Sequence, residues 1–330
     1  MLLYGIIRTE NQLFYYNLHV NFSRLYYKFN LKYTIQNSTK MKLTNFLFAA
    51  LVIGLFIFSG CQDKQVTTNS FSVAITGLED LGNDYVYEGW LIVDGSPVST
   101  GTFTVNSTGV LSQTTFDADI SDLESATKFV LSIEPSVDSD PAPSAVKILG
   151  GDFSSNTATL SVGDGAALGD NFSTATGSYI LATPTDALSN NENSGVWWLV
   201  PGGTPGLTLP TLPDGWRYEG WAVVNGTPLS TGTFTSASGA DAAAPYSGAN
   251  AGPAFPGEDF LNNAPSGITF PLDLSGAKVV ISVEPFPDNS SAPFLLKPLV
   301  GTVPTAAVNG TSYTMMNNNT TNPVGTVTRP

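Results

Sequence analysis

One stretch of this chain occurs twice, and the second copy keeps the turn chemistry of the first. The first copy opens on Tyr87-Glu88-Gly89-Trp90, passes Asp94-Gly95 and closes on Ser99-Thr100-Gly101-Thr102-Phe103-Thr104. The second opens on Tyr218-Glu219-Gly220-Trp221, passes Asn225-Gly226 and closes on Ser230-Thr231-Gly232-Thr233-Phe234-Thr235. The offset is 131 throughout, and 13 of the 18 paired positions are identical. Asp-Gly and Asn-Gly are the two dipeptides best able to supply φ > 0 at both centres of a type I′ turn. Their exchange therefore preserves a hairpin, and the chain is a tandem duplication of a unit founded on it.

A second match follows at a different offset. Residues 128–135 (Lys-Phe-Val-Leu-Ser-Ile-Glu-Pro) correspond to 278–285 (Lys-Val-Val-Ile-Ser-Val-Glu-Pro), 150 apart. Asp288, Pro293, Lys297 and Gly301 continue the match to Asp138, Pro143, Lys147 and Gly151. The offset grows from 131 to 150, so the second copy carries about 19 extra residues, placed between roughly 238 and 266. Phe71, Val73 and Ile75 alternate with Ser72, Ala74 and Thr76, the pattern of a half-buried strand. Short apolar runs at 145–149, 158–162 and 179–182 predict further strands, and 195–200 is expected to pair with the last of these. Pro201 to Pro213 is rich in Pro, Gly and Thr and is the best linker. The Asn/Thr-rich end of the chain is expected to fray.

These signals define an all-β protein of two tandem β-sandwich-like domains, over 70–200 and 201–330. Composition agrees: charged residues are only 12%, and the Thr, Ser, Asn and Val content disfavours helices.

Ahead of the repeats, residues 41–60 read as a lipoprotein signal peptide. Lys42 gives a positive start, residues 46–58 are apolar or glycine, and Phe58-Ser59-Gly60 precedes Cys61. Thirteen such residues are short for a membrane span of about 20. Cys61 is the lipidation site, 61–69 is a polar tether, and residues 1–40 are a mis-called N-terminal extension upstream of the true start at Met41. With Gln62 rather than Asp after the cysteine, the expected location is the bacterial cell envelope, extracytoplasmic and lipid-anchored at the outer membrane.

From Cys61 onward there are seven basic and 26 acidic residues, a net charge of −19. Such a body is repelled by phosphate backbones, which excludes nucleic acid as a partner. The chain has one cysteine and one histidine, Cys61 and His19, so neither a disulfide nor a zinc site of Cys/His type is available.

The Tyr-Glu-Gly-Trp hairpin, the later Ser-[Ile/Val]-Glu-Pro strand and the Asp/Pro/Ser loop after it resemble the C-terminal, extracytoplasmic domain of anti-sigma-K factors. The resemblance spans nearly all of 70–310. It implies an extracytoplasmic sensing or protein-binding module linked to sigma-factor regulation. In that family sigma binding belongs to a cytoplasmic N-terminal domain joined through one transmembrane helix. Here Cys61 and its signal replace both, so direct sigma binding is not expected.

Several residues are candidates for chemistry. Glu88 and Glu134, with Glu219 and Glu284, are the carboxylates kept in both core motifs, the pairing a glycosidase would need. The structural alternative is that each is satisfied by backbone or by Lys147 and Lys297, which keep their spacing to Glu-Pro. Serine or cysteine nucleophiles lack a histidine, so no enzyme, catalytic residue or cofactor is expected. Trp90 and Trp221, mid-strand, read as core anchors, and Tyr87 and Tyr218 as structural residues that define the repeat. Trp197, Trp198 and Trp216 are candidate contacts for an envelope glycan or protein: adjacent tryptophans on a strand face opposite sides, so one of Trp197 and Trp198 meets solvent or, as the alternative, the other domain. Asp138, Asp140, Asp164 and Asp170 sit in acidic loops that suit weak Ca²⁺ binding but match no EF-hand. Solvated loops are the default there, and no metal is expected.

Overall fold

The computed structural model describes residues 2–9, 12–21, 26–32, 67–287 and 290–330. The signal peptide, Cys61 and Asp288 lie outside them. The chain divides into two compact units, Met1–Gln65 and Val66–Pro330. In the first, strands Leu2–Thr9, Gln12–Asn21 and Tyr26–Lys32 form an antiparallel meander. In the second, strands are the dominant regular structure, as expected. The short helix Ile120–Ser125 was not anticipated, and among the described residues no helix is long and apolar enough to cross a membrane.

Both repeated hairpins form as the turn chemistry demands. Tyr85–Val93 pairs with Ser96–Phe103 around Asp94 (φ 50°) and Gly95 (φ 78°). Trp216–Val224 pairs with Thr227–Phe234 around Asn225 (φ 50°) and Gly226 (φ 83°). Each hairpin has a bulge at the glycine of Tyr-Glu-Gly-Trp. A Cβ on Gly89 would stand 2.6 Å from the Phe129 ring, and one on Gly220 would stand 2.5 Å from the Trp198 ring. The motif's glycine is thus required by a close approach of core aromatics.

The Val66–Pro330 unit holds two main sheets. The first is ordered Ser96–Phe103, Tyr85–Val93, Lys128–Pro135, Lys147–Ser154, Thr157–Ser161, Val324–Thr328, Thr68–Thr76, Thr115–Asp119. The second is ordered Thr227–Phe234, Trp216–Val224, Lys278–Pro285, Leu299–Thr302, Tyr313–Asn317, Thr176–Leu181, Gly195–Trp197, Gly257–Asp259. The end strands of each sheet come side by side, so both nearly close. In the first, Phe103 and Phe116 bridge the gap edge to face at 5.9 Å.

Position by position the two orders correspond, and the sixth strand shows what sequence reading missed. Thr176–Leu181 follows the fifth strand of the first sheet in the chain, yet it sits in the second sheet. Val324–Thr328 follows the fifth strand of the second sheet, yet it sits in the first, between Thr157–Ser161 and Thr68–Thr76. Each half therefore lends its last strand to the other. The sheets do not divide at residue 200, and the Asn/Thr-rich end does not fray. Val327 is fully buried. Arg329 donates to the carbonyls of Leu123, Ala126 and Ser155, and stacks on Phe153 at 4.2 Å. The expected pairing of 195–200 with 179–182 is present, Ile180 opposite Trp197.

Candidate functional site

The residues kept in both copies make the same contacts in both halves. Tyr87 donates to the carbonyl of Glu79 at 3.0 Å, and Tyr218 donates to that of Pro210 at 2.7 Å, each eight residues upstream. Burial pushes both hydroxyls far above the usual tyrosine range. Trp90 Nε1 donates to Ser132 Oγ at 2.7 Å, and Trp221 Nε1 to Ser282 Oγ at 2.8 Å. The Tyr87–Phe103 and Tyr218–Phe234 rings stack at 5.6 Å in both cases. All four aromatics are buried in the core, the place the sequence suggested for Trp90 and Trp221.

The glutamates hold structure together. Ser99 Oγ donates to Glu88, and Ser230 Oγ to Glu219. Glu134, 1% exposed, accepts from Ser132 Oγ and from the Ser144 amide at 2.9 Å. Its pKa is raised, first by burial. Glu284, also 1% exposed, accepts from the Phe294 amide at 2.9 Å. The expected ion pairs to the lysines are replaced by a relay. Lys147 Nζ donates to the Ser144 carbonyl at 2.7 Å and Lys297 Nζ to the Phe294 carbonyl at 2.5 Å. Glutamate and lysine thus grip the N–H and C=O of one loop residue, at positions 150 apart in the two halves. Burial lowers the Lys297 pKa, against the pull of Glu79 and Glu284.

The tryptophan surface read from sequence is absent. Trp197, Trp198 and Trp216 are 4%, 0% and 3% exposed. Trp197 and Trp198 do face opposite sides, but both sides are covered. Trp198 lies against Gly220, while the inserted loop places Gly252 and Gly257 on the Trp197 ring. Trp197 Nε1 donates to Asp259 Oδ1 at 2.7 Å.

The acidic loops are also internally engaged. Asp138 and Asp140 accept from the amides of Asp140 and Ala142. Asp164 is paired with Lys128 at 2.5 Å, and Asp170 accepts from the Phe172 amide. Among the described residues no group of three or more carboxylate, histidine or cysteine side chains is arranged to hold a metal.

Two features escaped sequence reading. One is a set of carboxylates in the insertion, Glu258 and Asp259 buried and Asp241 half-buried. Asp259 accepts from the Thr185 amide and hydroxyl and from Trp197, Glu258 accepts from Ser247 and the Tyr246 amide, and Asp241 accepts from the Gly257 amide. Burial pushes Asp241 and Glu258 up to about 7 and raises Asp259. The apolar neighbours Phe255, Phe260 and Leu261 were the available signal that this stretch is buried.

The other is a cleft of about 400 Å³ where the two Glu-Pro loops meet. It is lined by residues 79–81, Tyr85, Ile133, Pro135 and 144–146 from the first half, and by Glu284 to Pro287, Ser290 and Phe294 from the second. Nothing in a linear sequence says that two equivalent loops face each other. A larger trench of about 670 Å³ runs along residues 188–194, Pro271, Asp273 and 307–309. Several of its polar groups are engaged by residues behind the lining: Glu192 by Thr183, Asn191 by Asp186, and Asp273 by the Ser275 amide.

No curated protein and no solved structure matches this chain. A protein-family model does match 82 of its 330 residues, spanning the first hairpin, the first Glu-Pro strand and the loop that Glu134 and Lys147 hold. Residues 65–146 match the family described as anti-sigma-K factor rskA, C-terminal.

Proposed function

We propose that this chain is a non-catalytic, lipid-anchored envelope protein whose two related halves form one extracytoplasmic sensing or protein-binding module, linked to sigma-factor regulation. The observation that carries the reading is the match over residues 65–146 to an anti-sigma-K C-terminal domain. The second half extends the same reading, because its tyrosine, tryptophan, glutamate and lysine contacts repeat those of the first at offsets of 131 and 150. Attachment follows from Cys61 and the apolar run before it. Direct sigma binding is not part of the proposal, since the matched domain is the C-terminal one.

A non-catalytic role is supported by the use of the repeated glutamates. A glycosidic carboxyl pair needs one free acid and one free carboxylate facing a substrate. Here Glu134 and Glu284 are buried and accept loop amides. The glycan reading loses its support with the burial of Trp197, Trp198 and Trp216.

The test is chemical cross-linking in intact cells followed by capture of the chain, with lipid labelling of Cys61→Ser as a parallel. The expected result is one reproducible envelope protein cross-linked to the chain and loss of the lipid label in the variant. A chain that cross-links to no protein overturns the binding reading, and lipid label on the variant overturns the anchor.

A further inference from the structure

The cleft between the two Glu-Pro loops supports an inference that rests on the protein-binding reading above. Ile133 and Phe294, each 5% exposed, are its most buried apolar residues, and Tyr85, Pro135, Phe286 and Pro287 are among the rest of its apolar lining. Phe286 is 46% exposed although the Arg217 guanidinium stacks on its ring at 4.0 Å. An exposed ring fixed in this way is a preorganised contact surface.

The lining restricts the occupant. Strand addition has no ladder to extend, because loops and strand ends supply the lining and both sheets nearly close. A polyproline segment needs no ladder, and it docks on aromatic and prolyl surfaces. Charge restricts the occupant further. Among the described residues Asp80 is an exposed carboxylate of the lining, and exposed Asp138 and Asp140 follow Pro135 on the adjoining loop, whereas the nearby cations are already engaged, Arg217 on the Phe286 ring and Lys297 on the Phe294 carbonyl.

We propose that this cleft takes an extended, proline-containing segment of a partner protein, flanked by arginine or lysine. Its prolyl and aliphatic side chains lie against Phe286 and the prolines, and its cations face Asp80.

The test uses the chain from residue 62 onward, which keeps the whole Val66–Pro330 unit. The probes are fluorescent heptapeptides with a Pro-Leu-Pro core, flanked either by arginines or by glutamates, and binding is read by anisotropy. The arginine-flanked peptide is expected to bind at least tenfold more tightly than the other, with weakening as salt rises. Phe286→Ser and Asp80→Lys are each expected to weaken it about tenfold, while Val308→Ser, in the separate trench, leaves it unchanged. Equal binding of both peptides, no binding, or indifference to Phe286→Ser overturns the assignment. So does an apolar dye that binds in a Phe286-dependent way but is not displaced by peptide, which marks a small-molecule pocket. A cellular partner still cross-linked to Phe286→Ser overturns the cleft alone; a chain with no partner at all overturns the broader reading.

Discussion

Glu134 and Lys147 meet through a third residue: the carboxylate accepts the N–H of Ser144 and the ammonium donates to its C=O. The same arrangement recurs around Phe294, between Glu284 and Lys297. In both halves this relay fixes the loop that follows the Glu-Pro strand, and both loops contribute to the inter-half cleft.

A relay and an ion pair respond differently to mutation. Glu134→Ala strands a loop amide and is expected to cost about 1–3 kcal/mol, with Lys147→Ala costing about 1 kcal/mol. Urea unfolding of both single variants and the double variant measures their coupling. Coupling that collapses in high salt would show direct pairing and contradict the relay.

The buried acids of the insertion predict a pH response of definite sign. Asp241 and Glu258 have folded pKa values near 7, above unfolded values of about 4. Their protonated forms are favoured in the folded state, so this contribution is complete below about pH 4 and is lost as pH rises through 7. Asp186 and Glu192, the neighbouring charged groups on the loop before Gly195, are acidic as well. Thermal midpoints are therefore expected to fall between pH 5 and 8. Asp241→Asn with Glu258→Gln should flatten that fall; an unchanged slope would assign it elsewhere.

Removal of residues 323–330 should open the first sheet and spare the second. Hydrogen exchange is expected to speed up in Thr68–Thr76 and Thr157–Ser161, the strands that flank Val324–Thr328, while Trp216–Val224 keeps its protection. Arg329→Ala should have a milder effect, about 1–3 kcal/mol, from three unfilled carbonyls. Uniform exchange across both sheets would show that the halves do not depend on the exchanged strands in this way.

Gly220→Ala tests the close approach within the motif. The added methyl would meet the Trp198 ring at 2.5 Å, and overpacking of this kind costs about 1–3 kcal/mol. A thermal midpoint equal to the parent's would mean that the Trp198 ring shifts freely.

Local features were legible in the sequence and distant pairings were not. Asp94-Gly95 and Asn225-Gly226 state their turn within two residues, and Lys128–Pro135 shows its strand by β-branched and aromatic content. The reciprocal exchange leaves no such mark, since Val324–Thr328 reads as a strand for any sheet. The stretch 201–213 has linker composition, yet part of it turns back as the small pair Leu199–Val200 and Thr204–Pro205. For Trp197 and Trp198 the alternation rule was sound. The missing knowledge was that the insertion folds over one of them, a long-range contact. The buried acids escaped for the same reason: burial, not spacing, gives Glu258 and Asp259 their character.

The exchanged strand also inverts the order of synthesis and the order of completion. Thr68–Thr76 leaves the ribosome early, but its neighbour Val324–Thr328 follows some 256 residues later, the separation of the Ser72–Thr328 contact. At about 5–20 residues per second, that wait is roughly 13–50 s. Throughout it the first sheet has an unfilled slot and cannot lock. A chain built this way keeps its first sheet open until Val324–Thr328 has been made, so that a late strand commits an early one.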